Sequence, residues 1–332
     1  MSDFQSEKKV VRDYFTALEQ SDPSDLHKVQ ARFVAPNALW RGYHPFHEIA
    51  DPSAVITQFW QPLRHALSAL QRRMDVFMAG RNEIDGFQSV WVCSMGHLMG
   101  LFDAPWLGIA PTGKLAMLRY CDFHRVENGQ IVETAMFFDI PHLMMQAGLQ
   151  PFAPQTGAAM VQPGPRTQDG MLFEAQPPHE GTATLGAINR MISDLGNWDN
   201  SLSLEEELAL SWHDDMAWWG PAGIGATYTI ERYAKQHSGP FRAGFKDRVF
   251  NGHICRMAEG RYGGFFGWPN LTLTPTGGFM GMPAGRPGDM RVIDIYRRDG
   301  DKLAENWVFI DLLHFWNQQG VDVLARMQQL PR

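Results

Sequence analysis

The stretch PTGKLAMLRYCDFHRVENGQIVETAMFFDIPHLMMQAG, residues 111–148, has an ungapped counterpart in PAGRPGDMRVIDIYRRDGDKLAENWVFIDLLHFWNQQG, residues 283–320. At a constant offset of 172 residues, 11 of the 38 positions are identical. Unrelated segments of average composition agree at only about 6% of positions. The identical residues include the pairs Asp122/Asp294, Asp139/Asp311 and His142/His314. The repeat therefore predicts one structural module that occurs twice.

Composition restricts the class of protein. With 44% hydrophobic and 20% charged residues, this chain of 332 residues is typical of a globular protein with two domains. A net charge of −7 argues against general binding to nucleic acid or anionic membranes. No apolar run approaches the length of a membrane span, and the N-terminus lacks the apolar core of a signal peptide. Only three cysteines occur, which fits a reducing compartment, so we expect a cytoplasmic protein.

The pattern along each copy predicts helices followed by antiparallel strands. Apolar spacing indicates a helix over residues 7–21 and another over 184–195, with further helices over 52–70 and 229–237. Strand pairs are predicted at 114–126 with 131–138 and at 288–298 with 303–310. Each pair leads into a last helix that ends at Gly148 or Gly320. The predicted organisation is a first α+β domain over 1–150, a Pro- and Gly-rich linker over 151–182 and a second domain over 183–332.

The hairpin carries the candidate acid–base groups. If the loop is 127–130, regular alternation puts Asp122, His124, Glu133 and Asp139 on one side of the sheet. Tyr120 and Phe137 share that side, and the second copy groups Asp294, Tyr296, Glu305, Trp307, Phe309 and Asp311. Partial burial would raise the pKa of such an Asp and suit it to proton transfer.

Simpler explanations exist for the same residues. Asp139 and Asp311 immediately precede a helix and could be N-caps. Asp122 and Asp294 have arginines nearby in sequence and could form surface salt bridges. His97 lies in a strand and could face a cavity, but its counterpart at offset 172 is Pro269.

Several chemistries lack support in the sequence. There is no phosphate-binding loop before a helix, no nucleophile-elbow motif and no paired cysteine spacing for a metal. His44 and His47 lie close together, but the sequence indicates no third ligand to complete a metal site.

The order of these motifs resembles the SnoaL-like polyketide cyclases, a branch of the nuclear-transport-factor-2-like superfamily that includes ketosteroid isomerases. The resemblance covers about 8–150 and 183–327, and it is strongest at a Pro-Thr-Gly-Lys turn, a strand that ends in Arg, a strand that reaches Asp139 and a helix that ends in Gln-Ala-Gly. The resemblance implies two tandem cone-shaped α+β barrels, each with an apolar pocket.

The resemblance also implies acid–base catalysis without metal or cofactor. An Asp on the family's last strand closes a ring by an intramolecular aldol reaction, and the matching positions are Asp139 and Asp311. His97 could match the family's pocket histidine. Residues expected to contact substrate are Trp40, His44, Trp106, Tyr120, Asp122, His124 and Phe137 in the first copy and Trp218, Trp219, Trp268, Asp294 and Trp307 in the second.

Three hypotheses follow. The first is a cofactor-independent cyclase or isomerase acting on a small apolar, polyketide-like carbonyl compound. The second is a non-catalytic protein that binds a hydrophobic metabolite in two pockets. The third is a structural role in which the two modules form an internal pseudo-dimer, with further self-association left open. Fold resemblance alone does not choose among them.

Overall fold

The computed structural model describes residues 4–196 and 201–328. The helices of the first half are α1 (Gln5–Gln20), α2 (Leu26–Phe33), α3 (Pro52–Val55), α4 (Gln61–Ala66) and α5 (Ile140–Gln146). Its strands are β1 (Val34–Gly42), β2 (His47–Ile49), β3 (Leu67–Arg81), β4 (Val90–Phe102), β5 (Leu115–Glu127) and β6 (Gln130–Phe138). A π-helical turn, Ile56–Trp60, joins α3 to α4.

The second half repeats this order. Its helices are α6 (Pro178–Gly196), α7 (Leu204–Ser211), α8 (Ile230–Tyr233), α9 (Gly239–Gly244), α10 (Leu312–Gln318) and α11 (Val323–Gln328). Its strands are β7 (Trp212–Trp219), β8 (Ala226–Tyr228), β9 (Phe245–Phe250), β10 (Cys255–Glu259), β11 (Tyr262–Pro275), β12 (Gly288–Asp299) and β13 (Lys302–Ile310). A second π-helical turn, Ala234–Ser238, joins α8 to α9.

In the described residues the strands form two mostly antiparallel sheets, one per half. The first has the order β2-β1-β6-β5-β4-β3, and the second has the order β10-β11-β12-β13-β7-β8 with β9 on β11. In both, the strand that follows the early helices pairs in parallel with the last strand of its half. The predicted α+β class is confirmed. Neither sheet closes on itself, so the cones are open rather than complete barrels.

One face of the first sheet is covered by helices. Helix α1 is amphipathic, and its buried residues Val11, Phe15 and Leu18 pack toward β3, β4, β5 and β6. The predicted helix over 52–70 is too long, because α4 ends at Ala66 and β3 begins at Leu67. No helix in the described parts of the chain is long and apolar enough to cross a membrane.

The uncovered faces of the two sheets pack against each other. Phe266 of β11 contacts Trp91 and Phe123 of the first sheet, with ring centroids 5.4 and 5.3 Å apart. Phe137 meets Trp268 at 5.8 Å. The two halves therefore share a continuous apolar interface, the arrangement expected of an internal pseudo-dimer.

The segment between the halves binds to both of them. Met171 forms a bridge with Phe77 of the first half, and Ala158 forms one with Ala226 of the second. Helix α6 begins at Pro178, five residues before the predicted boundary at 183. The linker therefore contacts both copies.

A β-bulge changes the predicted hairpin register. Val126 pairs with Ile131 as expected, but Arg125 pairs with Glu133 because the ladder shifts by one residue there. His124 then faces Thr134, and Asp122 faces Met136. A one-residue shift moves the remaining side chains of β6 to the opposite face.

This shift corrects the predicted grouping of residues. Glu133 and Phe137 lie on the face toward the other half, opposite to Asp122 and His124. The second hairpin shifts in the same way, so Asp294 faces Val308 and Tyr296 faces Asn306. Glu305, Trp307 and Phe309 accordingly leave the predicted group.

Candidate active site

A small cavity lies between the helices and the sheet of the first half. Its walls combine aromatic side chains with a polar cluster on β3, β5 and β6. They are Tyr14, Phe15, Gln30, Val34, Ala38, Leu39, Trp40, Pro52, Val55, Trp60, Arg72, Asp122, His124, Thr134 and Met136. The volume is about 20 Å³, which is close to what a single water molecule needs. An organic ligand can enter only if the wall moves.

Asp122 is the buried carboxylate of this cavity. Its side chain is 1% exposed, and Nη1 of Arg72 donates to Oδ2 at 2.9 Å. Nε2 of His124 lies 3.3 Å from the same oxygen. Burial acts to raise the pKa of Asp122, but Arg72 and then His124 outweigh it and hold that pKa below its ordinary value. Asp122 is therefore ionised at neutral pH.

The second oxygen of Asp122 has no such partners. In the described part of the chain, Oδ1 is buried and no protein group donates a hydrogen bond to it. A buried acceptor without a partner is costly, and such groups commonly mark a function. The atom could accept a proton or a hydrogen bond from a ligand.

The neighbours of Asp122 hold it in place. His124 is fixed through Nδ1, which lies 2.9 Å from Oγ1 of Thr134. The guanidinium of Arg72 lies over the rings of Phe15 and Tyr120, at 3.7 and 4.3 Å from their centroids. The cluster is thus preorganised before any ligand binds.

The equivalent position in the second half has different chemistry. Asp294 accepts a hydrogen bond from Nδ2 of Asn306 at 3.1 Å. Burial raises the pKa of Asp294 to about 7, while Asn306 and Tyr296 only partly oppose the shift. Asp294 is therefore largely protonated just below neutral pH, whereas Asp122 is not.

Asp139 and Asp311 lie outside this cavity, at the interface of the halves. Asp139 caps α5, since Oδ1 accepts from the backbone N–H of His142 at 3.0 Å. Its Oδ2 accepts from the backbone N–H of Ala222, in the second half, at 2.9 Å. Asp311 makes the reciprocal pair of bonds, to His314 at 3.1 Å and to His44 of the first half at 3.0 Å. The cap interpretation agrees with this geometry, and the second bond of each cap crosses between the copies.

His97 also faces the other half rather than the cavity. It lies opposite Arg119 on β4 and β5. Its Nδ1 is 3.5 Å from Oδ2 of Asp75, and its buried Nε2 has no hydrogen-bond partner within the described residues. The structure therefore does not bring His97 close to Asp122.

The other predicted contact residues divide among three places. Trp40 lines the cavity, and the hydroxyl of Tyr120 lies behind it, 2.7 Å from Oγ of Ser94. Trp106 packs on Phe46 in the core of the first half, and Trp218 stacks on His237 in the second. The remainder lie at contacts between the halves or with the linker: His44, Phe137, Trp219, Trp268 and Trp307.

Sequence reasoning missed Arg72, Tyr14 and Thr134. Arg72 belongs to β3, which was not predicted. The alternation of buried and exposed residues along that strand was the available signal. Thr134 was assigned to the wrong face by the register.

Comparisons with known proteins find similarity to one domain family in the first half. Residues 11–134 match the model of the SnoaL-like domain. A candidate SnoaL-like polyketide cyclase from Jannaschia sp. CCS1 is 18% identical, with a TM-score of 0.35, and the match covers 43% of this chain and 91% of that one. IdmH, a candidate polyketide cyclase from Streptomyces antibioticus, is 16% identical, with a TM-score of 0.34, and the match covers 42% of this chain and 97% of that one. An NTF2-like protein from Burkholderia thailandensis is 19% identical, with a TM-score of 0.32, and the match covers 43% of this chain and 96% of that one. No curated protein shows a significant similarity to the chain.

Proposed function

We propose that the cavity of the first half is a cofactor-independent acid–base site, because residues 11–134 match the model of the SnoaL-like domain. The substrate class is a small apolar carbonyl compound of the polyketide type. Asp122 is the general base, rather than Asp139 as the motif alone implied. The observation that carries the proposal is the unpaired Oδ1 of an ionised Asp122 in an aromatic cavity.

The chemistry begins with proton abstraction beside a carbonyl. Oδ1 of Asp122 takes the proton, and the C–H electron pair moves into the carbonyl to form an enolate. Arg72 stays on Oδ2 at 2.9 Å and holds the carboxylate in position. In a cyclisation the enolate carbon then attacks a second carbonyl, and Asp122 returns the proton to the new alkoxide. Atoms and charge balance without a co-reactant.

An enolate needs a hydrogen-bond donor, and Tyr14 can provide one. Tyr14 lines the cavity, and its hydroxyl donates its single proton to Oε1 of Gln30 at 2.8 Å. It donates to an enolate oxygen only by turning that proton away from Gln30. Burial keeps the pKa of Tyr14 well above its usual value, so the hydroxyl retains its proton. A donor aimed at the enolate oxygen in a dry site stabilises the transition state more than the ground state.

Substrate entry requires movement of the aromatic wall. The cavity of about 20 Å³ is filled on one side by Trp60, at the end of the π-helical turn Ile56–Trp60. Such turns interrupt the regular hydrogen bonding of a helix and are frequent at functional sites. We place the opening at this turn.

The test uses exchange of the substrate's acidic proton. Aromatic β-diketones are incubated with the protein in D₂O, and loss of the α-proton signal is followed by NMR. Asp122→Asn is expected to slow exchange by about a hundredfold or more, while Asp294→Asn serves as the matched control in the other half. If Asp122→Asn exchanges at the wild-type rate, or if Asp139→Asn loses activity in its place, the assignment to Asp122 is wrong.

A binding protein is the second candidate, and one observation favours it. The lowered pKa of Asp122 makes its carboxylate a weaker base than an ordinary one. This candidate predicts that native mass spectrometry finds a retained apolar compound, that the wild type catalyses no exchange, and that Asp122→Asn changes affinity alone.

A further inference from the structure

We propose that His44, His47 and His314 form a binding site for a divalent transition-metal ion, with zinc as the representative, at the interface of the two halves. One ring nitrogen from each imidazole lies within 4.8 Å of the others. Ligand nitrogens around tetrahedral zinc are about 3.4 Å apart, because Zn–N bonds are about 2.1 Å long. Inward movements of about 1 Å would therefore complete the site.

The three imidazoles come from both copies. His44 lies in the turn that joins β1 to β2, His47 is the first residue of β2, and His314 lies in the first turn of α10. The ring centroids are 5.1 Å apart for His44 and His47 and 5.4 Å for His47 and His314. His44 is 8% exposed. Its buried Nδ1 has no hydrogen-bond partner in the described residues, so a ring nitrogen is available to a ligand.

The equivalent place in the other half shows that the fold does not need these imidazoles. Strand pairing aligns Trp40 with Trp218, at an offset of 178. The same offset aligns Gly42 with Gly220. In each half a Cβ on the glycine would come within about 2 Å of that tryptophan ring, at 2.1 and 1.9 Å. At the same offset His44 corresponds to Ala222 and His47 to Gly225.

The cross-copy hydrogen bonds follow this equivalence. Asp311 accepts from the N–H of His44, and Asp139 accepts from the N–H of Ala222. His44 and Ala222 each contribute only a backbone N–H to these bonds. The imidazole of His44 is therefore not needed for this contact, because alanine makes the same hydrogen bond in the other half.

The backbone conformation of His47 also suits glycine better than histidine. Its φ is +55°, in the left-handed region, and the φ of Gly225 is +87°. Glycine adopts this region freely, whereas a residue with a Cβ is disfavoured there. The first half thus carries a histidine at a position where the equivalent turn carries glycine, which agrees with a role for the imidazole.

Arg291 opposes the metal and gives the proposal a distinctive consequence. Its Nη1 lies 2.9 Å from Nδ1 of His47, so it competes for a ring nitrogen of that residue. Asp311 lies 3.5 Å from Arg291 and offsets part of its charge. Arg291→Met, which removes the charge and keeps packing on Trp268, is therefore expected to tighten metal binding. Three imidazoles leave one tetrahedral position for water.

The experiment is titration of the EDTA-treated full-length protein with ZnCl₂ by calorimetry, and with Co²⁺ followed by visible absorption. We expect one equivalent of Zn²⁺ to bind. His314→Ala and His47→Gly should each weaken binding at least tenfold, and Arg291→Met should strengthen it. His142→Ala is the matched control, because His142 is the counterpart of His314 beside Ala222 and Gly225.

The proposal is overturned if His47→Gly and His314→Ala bind Zn²⁺ as the wild type does, or if His142→Ala loses as much affinity. Weak binding that survives all three substitutions would mean adventitious surface sites only. Circular dichroism and melting without metal check that the variants fold. If His314→Ala fails to fold, His47→Gly decides the matter, since the equivalent turn already carries glycine.

Discussion

At the scale of single residues, Arg72 decides the charge state of the cavity. It gives Asp122 an ion pair with side chains only 4% and 1% exposed. We expect Arg72→Met to cost about 3 to 5 kcal/mol at pH 7, since it leaves a buried charge without its partner. Arg73→Met, at the exposed neighbouring position, should change stability little. Urea denaturation of both variants measures the difference, and equal losses would contradict the assigned partner.

The pH dependence of the same variant has a defined sign. In the wild type the folded pKa of Asp122 lies below the unfolded value. Its stabilising contribution is therefore present above about pH 4 and is lost as pH falls through the folded pKa. Without Arg72 burial dominates and the pKa rises, so stability should be lost as pH rises. The slope of unfolding free energy against pH between 4 and 8 tests this reversal.

Asp294 occupies the position equivalent to Asp122 in the second half, where, among the described residues, Asn306 and Tyr296, and no arginine, oppose the effect of burial on its pKa. Its folded pKa of about 7 exceeds the unfolded value, so its contribution is full below about pH 4 and is lost as pH rises through 7. The free energy of unfolding of Asp294→Asn, relative to that of the wild type, should therefore increase with pH, by up to about 4 kcal/mol. Asp301→Asn, in the exposed hairpin turn, is the control and should show no such trend when both are denatured across this pH range.

At the scale of elements, the sequence predicted the hairpins but not their bulges. The paired strands and the glycine after α5 follow from local patterns, and the structure contains both. The extra residue Val132 leaves no comparable signal, because the strand from Ala135 to Phe138 is apolar and buried on both faces and so fits either register. That single residue separated Asp139 from Asp122 in the fold. The contact of Asp139 with Ala222 joins residues 83 apart, and no local pattern encodes it.

The helix caps at the interface should be worth more than ordinary caps. Asp139→Ala removes the cap of α5 and also leaves the N–H of Ala222 buried without its acceptor. We expect a loss of about 2 to 4 kcal/mol. Asp51→Ala removes the exposed cap of α3, bonded to Ser53, and should cost about 1 kcal/mol. Thermal denaturation compares the two, and equal losses would show that the cross-copy bond contributes nothing.

At the scale of the whole molecule, the halves should unfold as one unit. Lys8 of α1 reaches across to Glu259 of β10 at 2.6 Å, with side chains 2% and 6% exposed. Lys8→Met leaves Glu259 buried without its ion-pair partner. We expect the free energy of unfolding to fall by about 3 to 5 kcal/mol, while calorimetry still shows a single transition. Lys9→Met, at a solvent-exposed ion pair, should have almost no effect. A wild type that melts in two separate transitions would contradict this coupling.

The reciprocal caps have a consequence for how the chain is made. When Asp139 leaves the ribosome, Ala222 is still 83 residues away from being synthesised, a wait of about 4 to 17 s at ordinary elongation rates. Asp311, by contrast, emerges when His44 has long been available. The first domain therefore folds before Oδ2 of Asp139 can accept its bond from Ala222, whereas Asp311 can accept its bond from His44 as soon as the second domain folds. The two equivalent bonds therefore become possible at different stages of synthesis, although the folded halves are nearly symmetric.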